Sequence, residues 1–163
     1  MNKELIKEQI QEALMNAKQE LKRADHLFHV TLKYTRTVDV LKSVIERLIN
    51  AFNFAMDALL LHAQLQGKTD TLPKIPLVKA DTLKKIYADD KNVCDFSNFF
   101  VLLRKIDKAK FERDREYRRH VTMTAKVDEK EAEITIDIIG DYFRKTKEFI
   151  VCVEDYVSGE KKE

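Results

Sequence analysis

Glycine and proline are scarce in this 163-residue chain, which has three Gly and two Pro. With so few turn formers, and with an abundance of Lys, Glu, Leu, Ala and Ile, the composition favours long helices over a β-rich fold. Cysteine is limited to Cys94 and Cys152, far apart and in no CxxC pair; the expected state is two reduced, mostly buried thiols. No long apolar run is present. The most apolar region, Ala51–Ala63, is interrupted by Asn53, Asp57 and His62 and is too short and too polar for a membrane span. An excess of one charge is also lacking: 30 basic residues stand against 28 acidic ones, a net +2. Any nucleic-acid surface must therefore be local. The beginning, MNKELIKEQIQ, is charged from residue 3 and has no apolar core segment, so no signal peptide is expected. A single cytoplasmic domain over residues 1–163 follows, ordered over about 3–157 with a frayed tail at 158–163, and large enough to build one core without disulfides or metals.

What is present is helical periodicity. Ile6, Ile10, Ala13, Ala17, Leu21, Ala24 and Phe28 recur at steps of three and four and predict an amphipathic helix over Lys3–His29, capped by Asn2. The β-branched segment Val30–Arg36 reads as a bend, with a continuous helix as the alternative. A second helix, capped by Thr37 or its neighbour, runs to about Gln66, its apolar face wide enough to make it the most buried, and Gly67 ends it. Beyond the loop Thr69–Pro76, Asp81 is expected to cap a short helix through Tyr87 and Ala88. Asp95 or Ser97 then opens a long helix reaching Arg119. Val121–Val127 is a turn or an extended piece, and a last helix spans about Glu129–Val157, with Gly140 allowing close packing. The predicted fold class is all-α: an up-and-down bundle of four long helices plus one short one.

The chemistry concentrates near the end of the penultimate helix. Residues Arg104–Arg119 hold eight basic and four acidic side chains, the densest positive stretch of the chain. On a helix, steps of four and seven put Arg113, Tyr117 and His120 on one face. Neighbouring cations disfavour the imidazolium, so His120 is a candidate neutral base, with Glu116 one turn earlier able to orient it. The reaction this pairing suits is metal-free transphosphorylation: a base takes the proton of a ribose 2′-OH, which attacks the adjacent phosphate, while arginine stabilises the pentavalent state. Arg113 is the better angular match on a straight helix; Arg115 serves if the helix ends before His120. Tyr117, Arg118 and Arg119 are candidate RNA contacts. A solvated helix face with internal pairs such as Asp114–Arg118 and Glu112–Arg115 is the plain alternative, each pair worth about 0.2–0.5 kcal/mol.

Other constellations are weaker. His26 and His29 lack a metal-ligand pattern, and His62 fits a hydrogen-bonded, partly buried position. Asp39, Glu46 and Asp57 could be buried carboxylates pairing with Arg47 or Arg113. There is no Walker loop, GxGxxG, HExxH or nucleophile elbow, and no metal or cofactor is expected.

In Arg113-Asp114-…-His120, and in the shorter Arg115-Glu116-…-His120, the chain resembles the HEPN superfamily (higher eukaryotes and prokaryotes nucleotide-binding domains) with its Arg-x4–6-His signature. The element order is similar over about residues 3–157: two long helices, a loop, a motif-bearing helix and a closing amphipathic helix. The resemblance implies a homodimer whose paired motifs cleave RNA without metal, with His120 as general base or acid and Arg113 or Arg115 on the phosphorane. It also implies a possible antitoxin protein as partner; other such domains bind nucleotides or proteins without catalysis. Against this endoribonuclease reading stands a non-catalytic helical module that binds RNA or protein.

Overall fold

The structure, a computed structural model, describes residues 2–159. Helix α1 (Lys3–His26) starts at Asn2, whose Oδ1 accepts the Glu4 N–H at 3.0 Å. It runs into a π-helical turn, Leu27–Thr31, and a last helical turn α2 (Leu32–Tyr34). The chain thus stays helical to Tyr34, and the break expected over Val30–Arg36 is confined to the segment from Thr35 to Thr37. Thr37 caps α3 (Val38–Leu65), its Oγ1 accepting the Val40 N–H at 3.3 Å. Gly67, with φ +73°, follows the helix in the left-handed conformation that glycine adopts without strain.

Two helix starts differ from expectation. Helix α4 (Pro76–Ile86) begins at its proline, whose missing N–H is not needed in a first turn. Asp81 lies inside it, paired with Lys85 at 3.1 Å. Helix α5 (Lys91–Lys108) is capped by Asp90, whose Oδ1 accepts from the Asn92 and Val93 N–H groups, rather than by Asp95 or Ser97.

The larger correction lies beyond Lys108. Neither the predicted extension of this helix to Arg119 nor a last helix starting at Glu129 is found. Strands β1 (Phe111–Asp114), β2 (Thr122–Val127) and β3 (Lys130–Ile134) form an antiparallel sheet in that order. The fold is therefore mostly helical with a small three-stranded sheet, not purely all-α. The reason is local: β-branched residues suit a pleated surface, and burying Val121, Met123 and Ala125 uses the period of two that a strand supplies. Asp128 and Glu129, with φ +50° and +66°, make a tight β2–β3 turn, and Lys105 reaches Asp128 at 2.9 Å. Helix α6 (Ile136–Ser158) starts at Thr135, whose Oγ1 accepts the Ile138 N–H at 3.3 Å. Of the tail expected to fray, Ser158 closes α6 and Gly159 follows it; residues 160–163 lie outside the described residues.

The core is organised around α3, which buries Leu41, Val44, Ile45, Leu48, Phe52, Ala55, Met56 and Leu59 among others. Helices α1 and α6 pack along it, and α4, α5 and β2 touch it too. Phe52 stacks on Phe149 of α6 at 4.7 Å between centroids and meets Phe99 and Phe100 of α5. Two polar clusters pair α3 with its neighbours. Lys79 of α4 binds Asp57 at 2.7 Å and Asn53 at 3.0 Å, and Glu20 of α1 binds Arg47 at 3.1 Å. Cys94 and Cys152 are free, half-buried thiols. No helix among the described residues is long and apolar enough to cross a membrane.

Gly140 has the packing role expected of it. A Cβ there would come within 3.2 Å of the Phe28 ring, which is stacked on Phe143 and edge-on to His29. Alanine improves intrinsic helix stability by about 1 kcal/mol, whereas overpacking typically costs about 1–3 kcal/mol. Gly140→Ala is expected to lower the urea-unfolding free energy by roughly 1 kcal/mol. Combined with Phe28→Leu, the same substitution should become stabilising relative to Phe28→Leu alone.

Candidate functional site

The Arg/His motif occupies a β-hairpin rather than a helix. Arg113 is in β1, opposite Met123 of β2, and Arg115–His120 form the connecting tip. Steps of four and seven bring side chains together only on a helix, so Arg113, Tyr117 and His120 do not share a helical face. Phe111 and Arg113, two residues apart, share one face of β1, and the guanidinium lies over the Phe111 ring at 5.2 Å. That face meets the first turns of α3. Lys42 lies over the other partner of this stack, the Phe111 ring, at 4.8 Å, and Asp39 binds Arg113 at 2.8 Å.

Glu116 completes the attachment. Its Oε2 accepts the Val38 N–H at 3.1 Å and lies 3.9 Å from Arg113. The first N–H groups of a helix have no partner within it. In α3, Val40 is served by Thr37 and Val38 by Glu116, from 78 residues further along the chain. Glu116 and Asp39 also place negative charge at the positive end of the α3 dipole, and Arg113 bridges the two. One residue on, the Tyr117 N–H donates to the Arg36 carbonyl at 2.6 Å. Arg113 and Glu116 therefore clamp the hairpin to the start of α3, and the carboxylate expected to orient His120 is engaged elsewhere. Asp39 is the expected carboxylate that pairs with Arg113, and it is exposed rather than buried. Arg47 pairs with Glu20.

The remaining tip residues face solvent. Arg115 has a long contact to Asp114, 3.7 Å, in place of the expected helical pairs. Tyr117 is 77% exposed, and Arg118, Arg119 and His120 are exposed as well. Among the described residues the side chains of these four make no hydrogen bond or ion pair. The backbone beneath them is held. The Arg118 N–H donates to Arg115 O and the Val121 N–H to Arg118 O, both at 3.2 Å, and Thr122 Oγ1 donates to His120 O at 2.8 Å. Arg115 and Tyr117 take φ of +54° and +64°, a left-handed backbone that costs a non-glycine residue about 1–3 kcal/mol. The clamp at Val38 and Arg36 is what holds it. Arg115, Tyr117, Arg118, Arg119 and His120 are thus brought to one short tip, and Arg113 is turned away from it toward α3.

The residues that the sequence did not point to are Arg36, Glu116 as a cap, and strands β1 and β3; β2 falls in Val121–Val127, where an extended piece was one of the two expectations. The available signal for β3 was the alternation in Glu131–Ile134. Among the described residues no three His, Cys, Asp or Glu side chains could hold a metal. His29 pairs with Asp25 at 2.6 Å. His62 is half-buried with no hydrogen bond to its ring among the described residues; burial, and then Lys68, lower its pKa.

A cleft of about 1090 Å³ lies elsewhere, where the end of α3, the α4–α5 turn and the end of α6 meet. The Tyr156 hydroxyl donates to Asp90, and Lys68 lies over the Tyr87 ring at 5.0 Å. Burial pushes the Cys152 thiol to about 11 and the Tyr87 hydroxyl to about 12. Both groups therefore stay protonated at neutral pH.

No family model, curated protein or solved structure matches this chain.

The clamp makes a measurable claim. Glu116→Ala leaves the Val38 N–H without its acceptor and should lower stability by about 1–2 kcal/mol in chemical denaturation. Glu116→Gln keeps an acceptor oxygen and should lose less. If Glu116→Ala unfolds like the wild type, Glu116 does not fasten the hairpin.

Proposed function

We propose that this protein is a helical RNA-binding module whose contact element is the tip of the β1–β2 hairpin. The observation that carries the reading is the unpartnered, outward set Tyr117, Arg118, Arg119 and His120 on a backbone already held in place. Arginines neutralise phosphates, and an exposed tyrosine offers a stacking face to an unpaired base. Prior ordering of the tip reduces the entropy lost on binding. A chain with a net charge of only +2 gains such affinity from a local group rather than from its overall field.

Metal-independent cleavage of the HEPN kind is the second reading. It is favoured by the unpartnered His120 imidazole beside Arg118 and Arg119. In that reading Arg115, on the tip, is the better phosphorane partner than Arg113, whose guanidinium is held by Asp39 and Glu116. A single histidine would act as both base and acid or would work with a second copy across a homodimer. An antitoxin-like protein partner belongs to this reading as well.

In filter binding or fluorescence anisotropy with a single-stranded RNA, Arg118→Glu/Arg119→Glu should weaken binding at least tenfold at low salt. It should also flatten the salt dependence. Tyr117→Ala should cost about 1–3 kcal/mol of binding. Unchanged RNA affinity in both variants would reject the tip as the contact. For cleavage, RNA is incubated with the protein in EDTA. The second reading expects products from the wild type and none from His120→Ala or Arg115→Ala. Equal products from all three, or none from the wild type, would leave only binding.

A further inference from the structure

A separate surface at the opposite end of the hairpin carries an independent inference. The segment entering α4 exposes Leu72, Ile75, Leu77 and Val78, with Ile75 63% exposed, and Leu102 of α5 is also exposed. Leu77 opens into a groove of about 310 Å³ between α4, α5 and the β2–β3 turn, with Val101, Ala109 and Val127 as its other apolar lining. The rest of that lining is charged and mostly of one sign: Arg104, Lys105, Lys108 and Lys126 against Asp128 alone. Asp128 is engaged by Lys105 at 2.9 Å, and Arg104 Nε is buried without an acceptor among the described residues.

We infer that this groove is a docking site for a partner protein, through a segment that carries carboxylates beside an apolar anchor. The charge decides the sign of the partner. Arg104, Lys108 and Lys126 make no ion pair among the described residues, and a carboxylate segment supplies the missing counter-charges. The apolar residues decide its class. Apolar side chains concentrated on one segment and an adjoining groove gain from an anchor that buries them, and the phosphate backbone of a nucleic acid offers none. The site lies away from the hairpin tip, so a protein partner and an RNA can occupy the chain together.

The probe is a fluorescein-labelled helical peptide with leucine along one face and glutamate along the other, read by anisotropy at physiological salt. Two control peptides replace its leucines with serine or its glutamates with lysine. Binding to the wild type is expected. Leu77→Asp, and separately Lys108→Glu/Lys126→Glu, should each weaken it at least tenfold, and both control peptides should bind at least tenfold more weakly. Arg118→Glu/Arg119→Glu should leave peptide binding unchanged. Should Leu77→Asp fail to fold, Lys108→Glu/Lys126→Glu alone decides, because both lysines line the groove and are exposed. Equal binding by the serine peptide, undiminished binding by either groove variant, or displacement of the peptide by single-stranded RNA would overturn the inference. So would a concentration-dependent dimer in sedimentation that Leu77→Asp abolishes, since the occupant would then be a second copy.

Discussion

A helix that is apolar around most of its circumference has to be covered on every side, and α3 is such a helix. Its buried residues run from Val38 to Ala63 and occupy successive positions as well as steps of three and four. One partner helix covers only a stripe. The other elements are arranged to close the remainder: α1 and α6 along its length, the phenylalanines of α5 against Phe52, and α4 through Lys79. Removing this cover exposes the core as a whole, so the arrangement of the helices follows from one constraint.

The same helix positions the candidate site. The start of α3 has N–H groups without helical partners, and the hairpin supplies one acceptor through Glu116 while Arg113 ties that carboxylate to Asp39. The arrangement links stability to display. The interactions that complete a helix terminus are those that hold Arg115 and Tyr117 in left-handed backbone and leave their neighbours facing outward. Arg113 and the tip residues have different work to do although they belong to one short run of sequence.

Much of the helical frame was legible in advance. The caps at Asn2, Thr37 and the terminator at Gly67 are local chemistry, visible within a few residues of the helix ends they serve. So is the need for a small residue at Gly140, although its partner Phe28 is more than a hundred positions away. The hairpin was not legible in the same way. The stretch from Arg104 to Arg119 is rich in helix formers, and its propensity runs against the strand that Phe111–Asp114 adopts. Pairing with Met123 and the acceptance of Arg113 and Glu116 by α3 override that preference, and such long-range contacts leave no mark in local spacing.

Composition and periodicity were sufficient to establish a mostly helical chain with one dominant buried helix, because hydrophobic period and capping are properties of neighbouring residues. They were sufficient too to locate the densest positive charge. Which residues of that run stay available to a ligand was decided by tertiary structure. Asp39 and Val38 lie more than seventy residues before Arg113 and Glu116, and only the packing of the hairpin on α3 brings these groups within bonding distance. That contact commits the Arg113 guanidinium to Asp39 and Glu116, while Arg115, Tyr117, Arg118, Arg119 and His120 stay exposed at the tip.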